Sequence, residues 1–371
     1  MISEEKQMKK LEIISRDITI SNPDSIFNYF AWPTVTRLPD GRLAAVSSGM
    51  RVQHVCPFGK VVMVTSDDEG KTWTNPSVVI DTPLDDRDAG IAVFGKERNR
   101  VIVTSFNNSF EFQRDWASKA PYGHKFDSLI FGYLDTVSPE AEEKYLGSTY
   151  KISEDCGKTF GEVRRVPVTS PHGPCVMRDG SLIYIGVVLG TGFANPTIHV
   201  YRMDANGVEF EKHSEFDTSF FKDIGYPCEV HAIENAPGEL IVHIRVQRGE
   251  ADSGLFTVYQ CESHDGGKTF TTPHQIIGDL EGAPPHLLKV GDTLICAYAK
   301  RQKPVGIKVA FSHDGGKTWD EGYIIDDTLQ DADLGYPASV ELEDGSILTV
   351  YYAKEAGGCS KIRQTIWRYE E

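Results

Sequence analysis

The sequence predicts an all-β protein: a six-bladed β-propeller of four-stranded antiparallel blades, its ring closed by an N-terminal strand. Two repeats and one leftover strand carry that prediction. An octapeptide of serine, acid, glycine, threonine and aromatic recurs four times, at Ser66–Trp73 (SDDEGKTW), Ser153–Phe160 (SEDCGKTF), Ser263–Phe270 (SHDGGKTF) and Ser312–Trp319 (SHDGGKTW). A longer strand, turn and strand unit recurs six times, and self-similarity at such a period marks repeat architectures. One apolar-alternating stretch, Leu11–Ile20 (LEIISRDITI), is left over before the first unit.

Each octapeptide follows an apolar, β-branched run such as Ile307–Phe311 and reads as a tight turn between two strands. The aspartate carboxylate suits turn N–H groups, and the glycine supplies a positive φ. The closing Trp or Phe serves as an anchor beneath the sheet. These boxes are therefore expected to be structural turns that take no part in chemistry.

The six hairpins run Trp32–Ser48, Asp88–Phe106, His172–Val188, Glu229–Val246, Pro284–Ala299 and Tyr336–Ala353. Measured from Pro33, Gly90, Pro174, Glu229, Pro285 and Pro337, the intervals are 57, 84, 55, 56 and 52 residues, so one blade is long. Boxes follow hairpins one, two, four and five, where a blade turns from its third strand to its fourth. The third blade keeps a worn box at Met203–Phe210, and the sixth ends at Lys361–Tyr369 without one. Leu11–Ile20 is expected to pair with that last blade, removing the free edges of an open sheet. The whole chain, 1–371, thus reads as a single propeller domain with an insertion in blade two at about 107–148. There Ser138, Pro139, early glutamates and Gly147 predict a short helix. Phe106, Phe110, Phe112, Trp116 and Tyr122 make the insertion too aromatic for a free linker, so it is expected to fold over the propeller face as a lid or as packing.

Across 371 residues the net charge is −16, which argues against wrapping nucleic acid or lying on an anionic membrane. It leaves room for a small anionic ligand held by a few local arginines. No apolar segment opens the chain and no run of about 18 apolar residues occurs in it, which predicts a soluble, cytoplasmic protein. The seven cysteines are scattered, with no C-x-x-C pair, and read as reduced thiols. No phosphate loop, dinucleotide fingerprint, zinc spacing or calcium loop is present, so no cofactor and no metal is expected.

In a propeller, the residues where first strands begin and second strands end converge on one mouth. Read around the ring, these positions are Trp32, Arg51, His54, Arg87, Asp88, His172, Glu229, Arg245, Arg248, His286, Arg301 and Tyr336. Taken singly, each has a structural reading. Their convergence at repeat-equivalent positions makes them a candidate site.

Four Asp-boxes on six regular hairpins resemble the sialidase (neuraminidase) superfamily of six-bladed β-propellers, and the likeness covers nearly the whole chain. The resemblance implies a Tyr nucleophile opening the last blade, a Glu that takes its proton, three arginines clamping a substrate carboxylate, and an Asp acid/base. Tyr336 in GYPASVELEDG matches the nucleophile and Glu229 in EVHAIENAPGELIVHIRVQR its base. Arg248 is the better-spaced arginine after that Glu, with Arg245 second, and Arg301 resembles the remaining C-terminal one. Two features depart from the pattern. Where the family has Phe-Arg-Ile-Pro this chain has Phe30-Ala31-Trp32-Pro33, and no carboxylate follows Arg51 in MRVQHVCP. Arg51 is then the substitute for the lost charge, and His54, or an Asp of Asp85-Asp86-Arg87-Asp88, the substitute acid; Trp32 is placed to stack on a sugar.

The resemblance implies an exo-acting glycoside hydrolase that releases a terminal, acidic sugar from an oligosaccharide. Two alternatives stay open: a catalytically inactive glycan- or protein-binding propeller, and a related enzyme for another sugar using His54, His172 or His286 as general base.

Overall fold

The computed structural model describes residues 11–119, 123–188, 197–249, 254–278, 281–282, 284–355 and 359–370. Tyr122 and the polar N-terminal stretch fall outside them. The described strands form five antiparallel sheets, three of four strands, one of five and one of eight, arranged as a propeller. Within the eight-stranded sheet, Tyr29–Arg37, Leu43–Arg51, Lys60–Ser66 and Ser77–Ile80 make one half. Leu334–Glu341, Ile347–Lys354, Ser360–Tyr369 and Leu11–Ile20 make the other, and a single parallel pairing, Tyr29 with Ser360, joins them. The N-terminal strand therefore pairs with the last strand of the chain, as its alternation predicted.

Contacts between sheets run through their innermost strands. Tyr29–Arg37 touches Arg87–Phe94, which touches Cys175–Val176; the succession continues through Tyr226–Ala236, His286–Val290 and Leu334–Glu341 and returns to Tyr29–Arg37. The cycle encloses a channel. Apolar clusters fill the spaces between sheets, for example Leu38, Val46, Val61, Ile91 and Val103. Inner strands such as Leu43–Arg51, Arg87–Phe94 and Thr293–Lys300 bury both faces, so they read as apolar and small residues rather than as strict alternation.

The four boxes close in one way. In the first, Asp68 accepts from the backbone N–H and the hydroxyl of Thr72, and Ser66 Oγ accepts from Gly70 N–H at 2.9 Å. Asp155, Asp265 and Asp314 repeat the pattern with Thr159, Thr269 and Thr318. The closing indoles of Trp73 and Trp319 donate to Gln364 and Gln260. The serine, aspartate and threonine of each box are engaged within its own turn, as structural turns require.

Gly90 shows how tightly the channel is drawn. A Cβ there would stand 2.4 Å from the backbone N of Gly173 and 2.6 Å from its Cα. Gly90→Ala is expected to destabilise the fold by roughly 1–3 kcal/mol, the cost of overpacking against backbone that cannot rotate away. A denaturant titration checks this, with a shifted midpoint at unchanged slope expected.

The insertion holds three helices where one was predicted: α1 (Phe110–Ser118), α2 (Asp127–Leu134) and α3 (Pro139–Tyr145). α3 is the foreseen one, with Ser138 capping Ala141 N–H and Pro139 in its first turn. α1 and α2 are short, and their stability comes from packing: Phe110, Ala117, Ile130 and Leu134 share a core with Val52, Cys56 and Leu84. The insertion is thus seated on the loop that follows Arg51. No helix of the described residues is long and apolar enough to cross a membrane.

Candidate active site

Three innermost strands carry the same irregularity at their mouths. Trp32, Asp88 and Tyr336 adopt positive φ values of 56°, 44° and 55°, each inside a register shift of its hairpin. A left-handed bulky residue is strained by roughly 1–2 kcal/mol, and such strain persists where surrounding structure over-determines it. The three side chains lie close together, the Tyr336 ring 6.4 Å from that of Trp32 and its phenol within the field of Asp88. Glu229 lies within a fourth such shift, between Pro227 and Val230.

At the centre, Tyr336 Oη donates to one carboxylate oxygen of Glu229, and Arg245 holds the other. Arg245 also donates to Gln247 Oε1 at 2.6 Å. Tyr336 is 6% exposed as a residue and the Glu229 side chain 16%, so the pair is nearly dry. Burial, and then the negative charges of Glu229 and Asp88, push the Tyr336 phenol well above its ordinary range. Burial works against the charge on Arg245, but Glu229 beside it holds its pKa above the usual value. The arrangement therefore keeps a neutral phenol bonded to a carboxylate able to take its proton.

Asp88 is the one unpaired acid of its run. Asp85 pairs with Arg51 and Arg87, and Asp86 accepts from the backbone N–H and hydroxyl of Thr82. Asp88 is buried, and its Oδ1 has no hydrogen-bond partner among the described residues. Burial raises its pKa to about 7; Arg87 opposes the shift and Glu229 adds to it.

His54 is engaged at both ring nitrogens. Its Nδ1 lies 2.8 Å from Tyr29 Oη and 3.3 Å from Asp333, and its Nε2 lies 3.3 Å from Arg87 Nη2. A guanidinium only donates, so Nε2 accepts and the ring is the neutral Nδ1–H tautomer. Burial lowers its pKa, against the pull of Asp333. Asp333 also accepts from Tyr29 and Tyr352, at 2.7 and 2.9 Å. Burial alone would raise the Asp333 carboxyl, yet His54 and the two phenols hold it well below its ordinary value.

Trp32 is buried between guanidiniums, with Arg87 3.9 Å and Arg51 4.9 Å from its ring. Its ring meets those of His54 and Tyr336 edge-on, at centroid distances of 5.0 and 6.4 Å.

Several expectations are corrected by these positions. Arg51 does not face a substrate: it is fully buried, bound to Asp85, Ser48 and the carbonyls of Asp86 and His54. The lack of a carboxylate after Arg51 is thus made up by Asp85 from the next sheet, which binds the guanidinium instead of leaving it free. The order of Arg248 and Arg245 is reversed. Arg245 meets Glu229, whereas Arg248 ends its strand exposed, because strand alternation puts residues three apart on opposite faces. His172 and His286 are buried below the mouth with His231, at ring distances of 4.4–5.5 Å. His231 and His286 accept backbone N–H groups of Leu287 and Ser339. His172 bonds Thr34, and its ring lies 6.4 Å from that of Tyr336. The trio forms a floor. Arg301 donates to the Leu334 carbonyl at 3.0 Å and stands 5.9 Å from the Tyr336 ring.

Tyr29, Asp333 and Tyr352 were missed, and Asp85 was foreseen only as a substitute acid, not as the partner of Arg51. Tyr29 opens the same strand as Trp32 and was legible from the repeat had the strand been read three residues earlier. Asp333 and Tyr352 become neighbours only through pairing, and nothing local marks them. A cavity of about 350 Å³ opens beside His54 and Tyr29, with Lys125, Phe126 and Lys354 in its wall.

Residues 98–350 match the family model of the BNR repeat-like domain, and the chain belongs to that family. Its fold is shared with a protein of unknown function from Dyadobacter fermentans, at TM-score 0.76 and 19% identity over 97% of this chain and 99% of the other. It is also shared with the NanB sialidase of Streptococcus pneumoniae, at TM-score 0.65 and 14% identity over 94% and 70% of the two chains. The GH93 α-L-arabinofuranosidase of Fusarium graminearum aligns at TM-score 0.63 and 14% identity, over 95% and 97%. No curated protein matches the chain in sequence.

Proposed function

We propose that the whole chain is one six-bladed propeller with the 107–148 insertion on its second blade, and that it is an exo-acting glycoside hydrolase. The contact cycle of innermost strands supports the blade count, the two halves of the eight-stranded sheet being taken as separate blades. The chain of bonds Tyr336, Glu229, Arg245 at the channel mouth carries the functional reading. Sialidases and an arabinofuranosidase sharing the fold make a glycoside the natural substrate class.

The chemistry balances with these groups alone. Tyr336 Oη attacks the anomeric carbon as its proton passes to Glu229, and Asp88 protonates the departing glycosidic oxygen. Asp88, now ionised, takes a proton from water. That water displaces the phenol oxygen, which recovers its proton from Glu229, and configuration is retained. Asp88 is preferred to His54 as the acid because both nitrogens of His54 are occupied.

The anion clamp is thin, since Arg51 is bound to Asp85 and Arg245 to Glu229. Arg301 remains to meet a single anionic group on the terminal sugar. A neutral pentose is the second reading, favoured by Ala31 standing where the resemblance places an arginine, with Trp32 beside it. Hydrolysis of chromogenic sialosides, glucuronides, arabinosides and rhamnosides by the wild type tests both. Cleavage of none of them, or inversion of the released sugar, would sink the proposal.

Asp88→Asn is expected to lower kcat/KM on an alkyl glycoside about 10²–10⁴-fold. It should be largely silent on a 4-nitrophenyl glycoside, whose leaving group needs no proton. With a pKa of about 7 for the acid, wild-type kcat/KM falls as pH rises through neutrality, and the variant loses that limb.

A further inference from the structure

A cavity of about 730 Å³ lies at the root of the insertion rather than over Tyr336. Its walls come from the start of α1, from Gly147 and Ser148 where the chain re-enters its sheet, from Arg165–Pro167, and from Val188 at the end of another strand. All of these sit on the face of the propeller that carries the mouth, since each follows a second strand or precedes a first. Phe112, 38% exposed as a residue, borders the cavity. The Ser148 hydroxyl is buried and has no hydrogen-bond partner among the described residues. The Arg165 guanidinium donates to the Glu143 carbonyl at 3.1 Å, and no carboxylate meets it among the described residues.

An aromatic line connects this cavity to the candidate site. The rings of Phe112 and Trp116 are near-parallel at 25°, and those of Trp116 and His54 at 23°, both at 6.2 Å between centroids. His54 meets Trp32, and Trp32 meets Tyr336. The line runs along one wall from the reacting atoms to the cavity.

The geometry points to a second carbohydrate subsite here, for a uronate-type pyranose unit on the leaving side of an oligosaccharide whose terminal sugar reacts at Tyr336. An exposed aromatic face accepts the C–H face of a pyranose. An uncompensated guanidinium fits a sugar carboxylate bidentately, and a buried orphan hydroxyl calls for a polar partner. The volume is that of a small-ligand pocket. The 350 Å³ cavity on the other side of the insertion fits an anion less well, because Lys354 stands by Asp331 and Lys125 lies over the Phe126 ring. The subsite rests on the hydrolase reading only for its orientation, so it is tested by binding without turnover.

Tetragalacturonate and maltotetraose, both α-1,4-linked hexopyranose tetramers, are titrated calorimetrically into the full chain, its Tyr336→Phe variant, Arg165→Ala, Phe112→Ala and Phe112→Trp. Tetragalacturonate is expected to bind the wild type and Tyr336→Phe alike, and at least about tenfold more weakly to Arg165→Ala, which loses a charge-assisted contact. Phe112→Ala weakens it too, whereas Phe112→Trp restores it, which separates stacking from misfolding. Equal binding of the neutral tetramer, indifference to Arg165→Ala, or no binding of tetragalacturonate overturns the subsite. Loss of binding in Tyr336→Phe would place the ligand at the mouth instead and overturn it as well. Hydrolysis that fails while this binding holds would overturn the hydrolase reading alone.

Discussion

Tyr336→Phe is expected to lower kcat/KM by roughly 10³–10⁶-fold on whichever glycoside the wild type cleaves, with little change in the thermal midpoint. Removal of a nucleophile that acts with its base as a unit costs on this scale. The fold should tolerate the change for a specific reason. Glu229 loses the phenol bond but keeps Arg245 on its other oxygen, so no buried charge is left unpaired. The ring keeps its contacts with Trp32, His172 and Tyr352, and its positive φ is no worse for Phe than for Tyr. Activity and melting temperature measured on the same preparations separate the effects. A fully active, equally stable variant would remove Tyr336 from the chemistry and return attention to the alternative of a histidine as general base. A variant that loses both would show that the bond is structural.

Glu229→Gln belongs to the same experiment but is less clean. It would leave Arg245 facing an amide in a buried setting, so lost activity would carry a stability cost with it. The phenylalanine variant is preferred for that reason.

How much of this site was legible in sequence follows from what each residue depends on. Tyr336, Glu229, Trp32 and Asp88 open repeated hairpins, and the repeat placed them at one mouth before any coordinates. Their bulges were not legible, since a left-handed Trp, Asp or Tyr has no local signature and is imposed by the converging strands. The charge pairings failed where they depend on three-dimensional neighbours. Arg51 was read as free because the sequence after it lacks an acid, yet Asp85 arrives from another sheet to bind it. Arg245 and Arg248 differ by three positions, and family spacing ranked them wrongly where strand alternation ranks them correctly. Burial also separated the histidines: His54 reaches the mouth, while His172 and His286 sit beneath it. In the insertion, α3 carried cap signals, whereas α1 and α2 are specified by the surface they cover.

Buried histidines predict that mild acid destabilises the protein before its surface carboxylates titrate. Burial lowers His231 and His243 to about 3, and His172 and His286 also lie well below the ordinary value of 6.5. As pH falls below 6.5 the unfolded chain takes up protons that the folded chain refuses. Each such histidine therefore withdraws about 1.4 kcal/mol of stability per pH unit. Asp86 and Asp88 act oppositely. With folded values of about 7 they are protonated in the native state while still ionised in the unfolded one, and they favour folding as pH falls from 7 toward 4. Four histidines against two aspartates leave a net loss equivalent to two groups, about 2.7 kcal/mol per unit. His54 and His199 are also lowered and deepen the loss, while His264, raised by Glu239, offsets part of it. The net effect is a loss of stability between pH 6.5 and 4.5. Thermal melts across that range should drop by several degrees, with a shallower slope in His243→Gln, whose site beside Gln260 and Trp319 is remote from the mouth. A melting temperature that holds or rises on acidification would mean that the histidine floor is protonated in the native state, with each ring bonded to an acceptor the neutral arrangement does not use.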